Sequence, residues 1–364
     1  MHVIMKRITL CALLMTLFLL FSCGSGQQPV DSPNGGGAAT GGRTLSSVLI
    51  DVGRSAENAF YSFLELLSGT LGLRVTNDTK KSDVGSYFDC LGDKLGVASK
   101  ELEQVAKKSE VEGAKDGPIA VAIKSAVDTA KATFITLKTH LDSLKDIGDN
   151  DKVGDAASNA AGTTPADNEL KKALKALQAI VKSAQENGVK EPVAGDTAVK
   201  VGGNGTDNKD GAKILSTNGA ATATDAGKAA AILATVSGEE ILASIVKSGE
   251  SDAALTANAS GDTTAMSFAR GGQAAHLAGA DTLKAASVSG GIALRSLVKT
   301  GKLASGAADG SAGGKEEVQK VGVSAVNKLL VAVEDIIKKT VKNVLKTAKE
   351  KIDKARAPKT TAQQ

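Results

Sequence analysis

EEVQKVGVSAVNKLLVAVEDIIKKTVKNVLKTAKEKIDK, residues Glu316 to Lys354, decides how the rest of the chain is read. Its apolar positions Val318, Val321, Ala325, Leu329, Val333, Ile336, Val341, Val344, Ala348 and Ile352 recur at the three-and-four spacing of one helix face. At 1.5 Å of rise per residue the segment makes a rod of roughly 58 Å. A lone helix would leave that stripe in water, so the rod needs partners. A matched stripe begins at Leu45 and continues through Val48, Leu49, Val52, Ala56, Ala59, Phe60, Phe63, Leu64 and Leu67, ending at Ser68-Gly69. The two helices bracket the chain, and their stripes predict that they pair.

Between them, the same spacing predicts a helix from about Tyr87 to Glu112, with Leu91, Leu95, Ala98, Leu102 and Val105 inward and Gly113 as its stop. Another starts at Pro118 and carries Ile119, Ile123, Ala126, Ala130, Phe134, Leu137, Leu141 and Leu144, closing at Gly148. A further helix, with Asp167 as its expected cap, holds Leu170, Leu174, Leu177, Val181 and Ala184 before Gly188. From there the pattern breaks: Ala229 to Val236, Glu239 to Lys247 and Ile292 to Leu303 read as helical pieces divided by Gly, Ser, Thr, Asn and Asp clusters. No strand is expected, and Thr197 to Val201, the best fragment of alternation, reads as a loop. The single aromatic between Gly188 and Gly314 is Phe268, so this middle is expected to have a thin core of modest stability.

The N-terminus carries the sharpest chemistry. Lys6 and Arg7 precede an apolar run from Ile8 to Phe21 that stops at Ser22-Cys23, the pattern of an export signal. The run is shorter than the roughly 20 residues a helix needs to cross a bilayer. Leu20-Phe21-Ser22-Cys23 resembles the lipobox of bacterial lipoproteins, in which the cysteine is acylated and becomes the mature N-terminus. An ordinary secretory signal with a chance cysteine is the competing reading; Leu20 and the small flanks Ser22 and Gly24 favour lipidation of Cys23. Two or more acyl chains hold a protein on a membrane where one holds it only marginally. The stretch from Gly24 to Gly42, rich in glycine and small polar residues, reads as a flexible tether.

Composition narrows the function classes. The formal charge of +4 falls to +2 once Lys6 and Arg7 leave with the signal, which argues against nucleic acid as a partner. Cys11 departs with the signal and Cys23 takes lipid, so Cys90 has no intrachain disulfide partner and reads as a small buried apolar residue. His140 and His276 read as exposed residues, and no histidine pair has metal-ligand spacing. Asp149-Asn150-Asp151-Lys152-Val153-Gly154 begins like a calcium loop but has Val153 at position five and Ala160 where glutamate is required. The run from Gly306 to Lys315 precedes a helix as a phosphate-binding loop would, yet Asp309 and Glu316 break that pattern. No catalytic residue, metal or cofactor is expected, and the chain reads as a non-enzyme.

One charged cluster stands out. Lys338, Lys339, Lys342, Lys346, Lys349, Lys351, Lys354 and Arg356 face Glu350 and Asp353. Its plain reading is a solvated helix face suited to the negative end of the helix dipole. Its functional reading is contact with acidic lipid headgroups or polysaccharide.

Several strings resemble the variable large proteins of relapsing-fever spirochaetes, a branch of their variable major lipoproteins. They are Ser86-Tyr87-Phe88, Gly211-Ala212-Lys213-Ile214-Leu215, the stretch from Asp225 to Leu233, Val236-Ser237-Gly238-Glu239-Glu240-Ile241-Leu242, and Gly291-Ile292-Ala293-Leu294-Arg295-Ser296-Leu297-Val298-Lys299-Thr300-Gly301-Lys302. The last is similar to an invariant antigenic segment of the variable surface lipoprotein of Lyme spirochaetes, with Leu303 where that relative has an aromatic. The resemblance implies a lipoprotein on the outer face of the cell outer membrane, replaced by recombination so that the bacterium escapes host antibodies. The expectation is therefore an all-α, elongated helical bundle with paired N- and C-terminal helices near the membrane and a loop-rich distal cap. Its segments are a signal peptide over 1–22, a tether over 23–43, a bundle over 44–187, an irregular variable distal region over 188–314, the long helix over 315–357 and a disordered tail over 358–364. The expected partners are outer-membrane lipid through acylated Cys23, host antibodies and a weakly held second copy. The alternative is an adhesin for host glycans or lipids, acting through the basic helix or the cap.

Overall fold

A computed structural model of the chain describes residues 71–109, 117–200, 207–306 and 314–356. They belong to one compact unit, Thr44–Gln364. The predicted helix over 45–67 and its pairing lie outside the described residues, as do the signal, Cys23 and the tether.

Helix α1, Lys81–Ser109, starts six residues before the predicted Tyr87, because the Asp83 carboxylate accepts the Lys80 backbone N–H at 2.9 Å and holds the first turn. Helix α2, Pro118–Asp142, begins where its proline predicts. The two run antiparallel, as the ladder of ion pairs Lys131–Glu103, Lys138–Asp93 and Lys145–Asp89 requires. Helix α3, Asp167–Glu186, is capped differently from the expectation: Ala166 is the N-cap with no side-chain bond. Asp167 sits inside the first turn instead, paired with Lys171 and Arg270.

The middle of the chain is more ordered than its composition predicts. A 3₁₀ helix over Lys209–Leu215 leads into the short strand β1, Ser216–Asn218, followed by α4, Asp225–Ala234, and α5, Gly238–Val246. A capping box between Ser237 and Glu240 starts α5. Then come α6, Ala265–Arg270, the strand β2, Gly272–Gln273, the one-turn α7, Ala274–Leu277, and α8, Ala285–Leu297. Strands β1 and β2 pair in parallel, a contact the sequence reading missed because each is too short to alternate. The fragment near Thr197 makes only isolated bridges, at Ala198 with Lys284 and at Lys200 with Asp207.

Helix α8 corrects the sequence reading most. It begins seven residues before Ile292 and ends at Leu297 rather than Leu303, and it is buried along its whole length. A helix surrounded on every side has no polar face and therefore no periodicity to read. Gly290-Gly291, which look like a break, let neighbours in: a Cβ on Gly290 would lie 2.8 Å from the Ala265 Cβ, and one on Gly291 would lie 2.5 Å from the Phe268 Cβ. The pair of glycines is thus the seat on which α6 packs.

Helix α9, Lys315–Arg356, extends one residue before and two beyond the predicted rod. All ten seam residues are buried. Its described neighbours are α8, α5 and α4, then α2 and α3 farther along. Residues 72 to 77 run antiparallel beside it, since the Gly72 N–H donates to Glu334, the Val75 N–H to Asn327 at 2.8 Å, and the Gln319 amide to the Asn77 carbonyl. Among the described residues, no single helix is long and apolar enough to cross a membrane.

Candidate functional site

Lys338, Lys339, Lys342, Lys346, Lys349, Lys351 and Lys354 are all exposed on α9, opposite the buried Val341, Val344, Leu345, Ala348 and Ile352. At about 100° per residue, Lys338, Lys342, Lys349, Lys346 and Lys339 share roughly 100° of the helix circumference. The contacts at the edge of this face are weak: Lys346 lies 3.9 Å from Glu350, both well exposed, and Lys351 reaches the Thr129 hydroxyl at 3.5 Å. Such contacts contribute little and weaken with salt. The arrangement presents positive charge without choosing an acceptor geometry.

The calcium-like loop is occupied by the protein's own cations. Asp155 is bridged by Lys302 at 2.9 Å and Lys315 at 3.0 Å, and Lys302 also reaches Asp151. Burial alone would raise the Asp155 pKa, but the hydrogen bonds from those two lysines outweigh it and hold the carboxyl below its ordinary value. Asp149 accepts the Thr300 N–H at 2.8 Å and lies 3.9 Å from the Lys81 ammonium. Lys315, at the end of the glycine-rich run, pairs with Asp155; residues 307–313 of that run lie outside the described residues.

Two fully enclosed cations, Lys81 and Arg295, carry no sign in the sequence. Lys81 is fully enclosed and donates to the Val298 and Gly301 carbonyls at 3.0 and 2.7 Å. Burial pulls its pKa down, and Asp149, Asp151 and Asp155 oppose that shift. Arg295, also fully enclosed, donates through Nε and Nη2 to the Ala269 carbonyl at 2.9 and 2.6 Å. It therefore answers the open carbonyl end of α6, while burial lowers its pKa to about 9. No local signal marks either residue, because lysine and arginine are ordinarily surface residues and only the packed neighbours identify these two.

The remaining candidates are also repositioned. His140 is half-buried rather than exposed, and burial lowers its pKa. His276 is half-buried too, with Nδ1 enclosed and lacking a partner among the described residues. Cys90 is half-buried on α1 rather than a core residue. No group of three or more His, Cys, Asp or Glu among the described residues is arranged to hold a metal ion.

A family model described as Borrelia lipoprotein matches residues 56–352. Variable large protein 25 of Borrelia hermsii is 60% identical over 363 residues, 99% of this chain and 98% of that protein. Variable large protein 18 of the same organism is 60% identical over 362 residues, with the same coverage of both. The crystal structure of the Lyme disease variable surface antigen VlsE of Borrelia burgdorferi superposes with a TM-score of 0.65, covering 85% of this chain and 99% of that one at 23% identity, a likeness of fold.

Proposed function

Because the chain belongs to the Borrelia lipoprotein family, we propose that it is a variable surface antigen held on the outer face of the outer membrane by acyl chains on Cys23, and that exchange with other variants evades host antibody. The observation that carries this reading is near-full-length similarity to proteins named variable large protein, two of them from one organism. The fold suits the task. Its core, centred on the wholly buried α8, tolerates little change, whereas exposed loop positions such as Ser251, Ala253, Ala254, Thr256 and Ala257 can vary without disturbing packing. The role is display rather than catalysis.

Residues 72 to 77 approach α9 heading toward Glu334 as they are followed back toward the N-terminus. The pairing of the stripe from Leu45 to Leu67 with α9, read from its spacing, belongs to this proposal. The domain boundaries, with a signal over 1–22 and a tether over 23–43, belong to this proposal. Shaving intact cells with protease while following incorporation of labelled palmitate tests it. The wild type should carry label and be stripped, and Cys23→Ala should lose both label and cell association. A labelled protein spared by protease would defeat the outward-facing assignment.

A second reading, an adhesin for acidic glycans or lipids, is favoured by the exposure of all seven lysines. Replacing Lys338, Lys342 and Lys346 together by glutamate should abolish attachment to sulfated polysaccharide. Unchanged attachment removes this reading.

A further inference from the structure

Helix α4 has a solvent side unlike that of the other surface helices. Its exposed or half-exposed positions away from Lys228 are Gly227, Ala230, Ala231 and Ala234, so no polar side chain covers that face. A surface helix normally carries charged or polar residues there. The bare strip forms one wall of a groove of about 400 Å³ whose other wall is the first part of α9, with Val321 and Leu233 in the floor. Its lining is mostly apolar with a few polar groups, the usual character of a small-molecule site.

The polar groups are cationic on balance. Lys328 is fixed at one end of the groove, where its ammonium donates to the Leu233 and Val236 carbonyls at 2.8 and 2.6 Å at the C-terminal end of α4. Lys320, well exposed, stands on the same wall and pairs with Glu317 at 3.1 Å. An apolar trough edged by two ammoniums and one carboxylate fits an occupant with a single alkyl chain and one negative headgroup. We propose that this groove binds a monomeric, single-chain anionic amphiphile of the fatty-acid class, its carboxylate at Lys320 and its chain running along Ala226, Ala230, Val321 and Leu233 toward Lys328. Glu317 competes with the headgroup for Lys320. The groove is open along one side, so the chain is buried on one face only.

The experiment uses the full chain carrying Cys23→Ala, so that no acyl group of its own competes, with palmitate as the probe in isothermal titration. One saturable site is expected. Two methylenes fewer in the probe should weaken binding about fourfold, given burial of one side of the chain. Ala230→Trp fills the trough from an exposed position and should weaken binding at least tenfold, with circular dichroism confirming that the helical content is unchanged. Lys320→Glu should weaken binding, and Glu317→Gln should strengthen it by freeing Lys320. Absence of saturable binding, binding unmoved by Ala230→Trp, or binding to phosphatidylglycerol vesicles without binding to monomeric palmitate would each overturn the proposal.

Discussion

Arg295 and Lys81 carry the largest consequences per residue. Removing one member of a buried charged arrangement leaves desolvated partners behind, and typically costs about 3 to 5 kcal/mol. Arg295→Met strips the donors from the Ala269 carbonyl and should lower stability by about 3 kcal/mol, read as a fall in the urea midpoint. An unchanged midpoint would mean that water substitutes for the guanidinium there. The Asp155 carboxyl has its pKa depressed, so its contribution is fully present above the ordinary carboxylate value and is lost as pH falls through the lower, folded-state value. Stability should therefore drop on acidification below about pH 4, and Asp155→Asn should reduce that dependence in melts between pH 5 and pH 3. None of the three positions is legible as special: Lys81 and Arg295 lack a sequence signature, and the calcium pattern that would single out Asp155 already fails two residues earlier, at Val153.

At the scale of elements, the glycines of α4 and α8 separate propensity from packing. An interior helical glycine costs roughly 0.5 to 1 kcal/mol relative to alanine. Gly227 has open space around its would-be Cβ, so Gly227→Ala should raise the melting temperature by about 1 to 2 °C. Gly291 faces the Phe268 side chain at 2.5 Å from a built Cβ, so Gly291→Ala should destabilise by about 1 to 3 kcal/mol despite the better helix propensity. Opposite signs at the two sites are the check; stabilisation at both would mean that α6 can move away from α8. The long helix was readable because one dry face repeats over its whole length. Helix α8 was not, since a periodic signal requires a wet side, and Gly290-Gly291 imitate a turn until α6 is placed against them.

Across the molecule, α9 acts as a shared wall for helices far apart in sequence, touching α2 and α3 from one part of the chain and α4, α5 and α8 from another. Trimming the seam should therefore disrupt the fold as one unit. Leu329→Ala, at a fully packed position, is expected to cost about 2 to 5 kcal/mol and to shift near-complete loss of helical circular dichroism to lower urea in a single transition. Two separated transitions would show instead that the α1–α3 region holds without the rest. The basic face of α9 belongs to this scale as well, since its charge acts over a screening length of about 8 Å at physiological salt.

By itself, the sequence determined the all-helical class, the long C-terminal rod and its buried stripe, the approximate extents of α1, α2 and α3, and the affiliation carried by its recurring strings. These are properties of local spacing, capping residues and composition, all contained in short windows. Only the tertiary structure decided that α8 is wholly enclosed, that Lys81 and Arg295 serve backbone carbonyls inside the core, that lysines answer the Asp149–Asp155 carboxylates, and that an alanine-faced groove lies between α4 and α9. Each depends on groups brought together from distant parts of the chain. The free energy of a buried charge or a missing Cβ is set by those neighbours and has no value in the isolated segment.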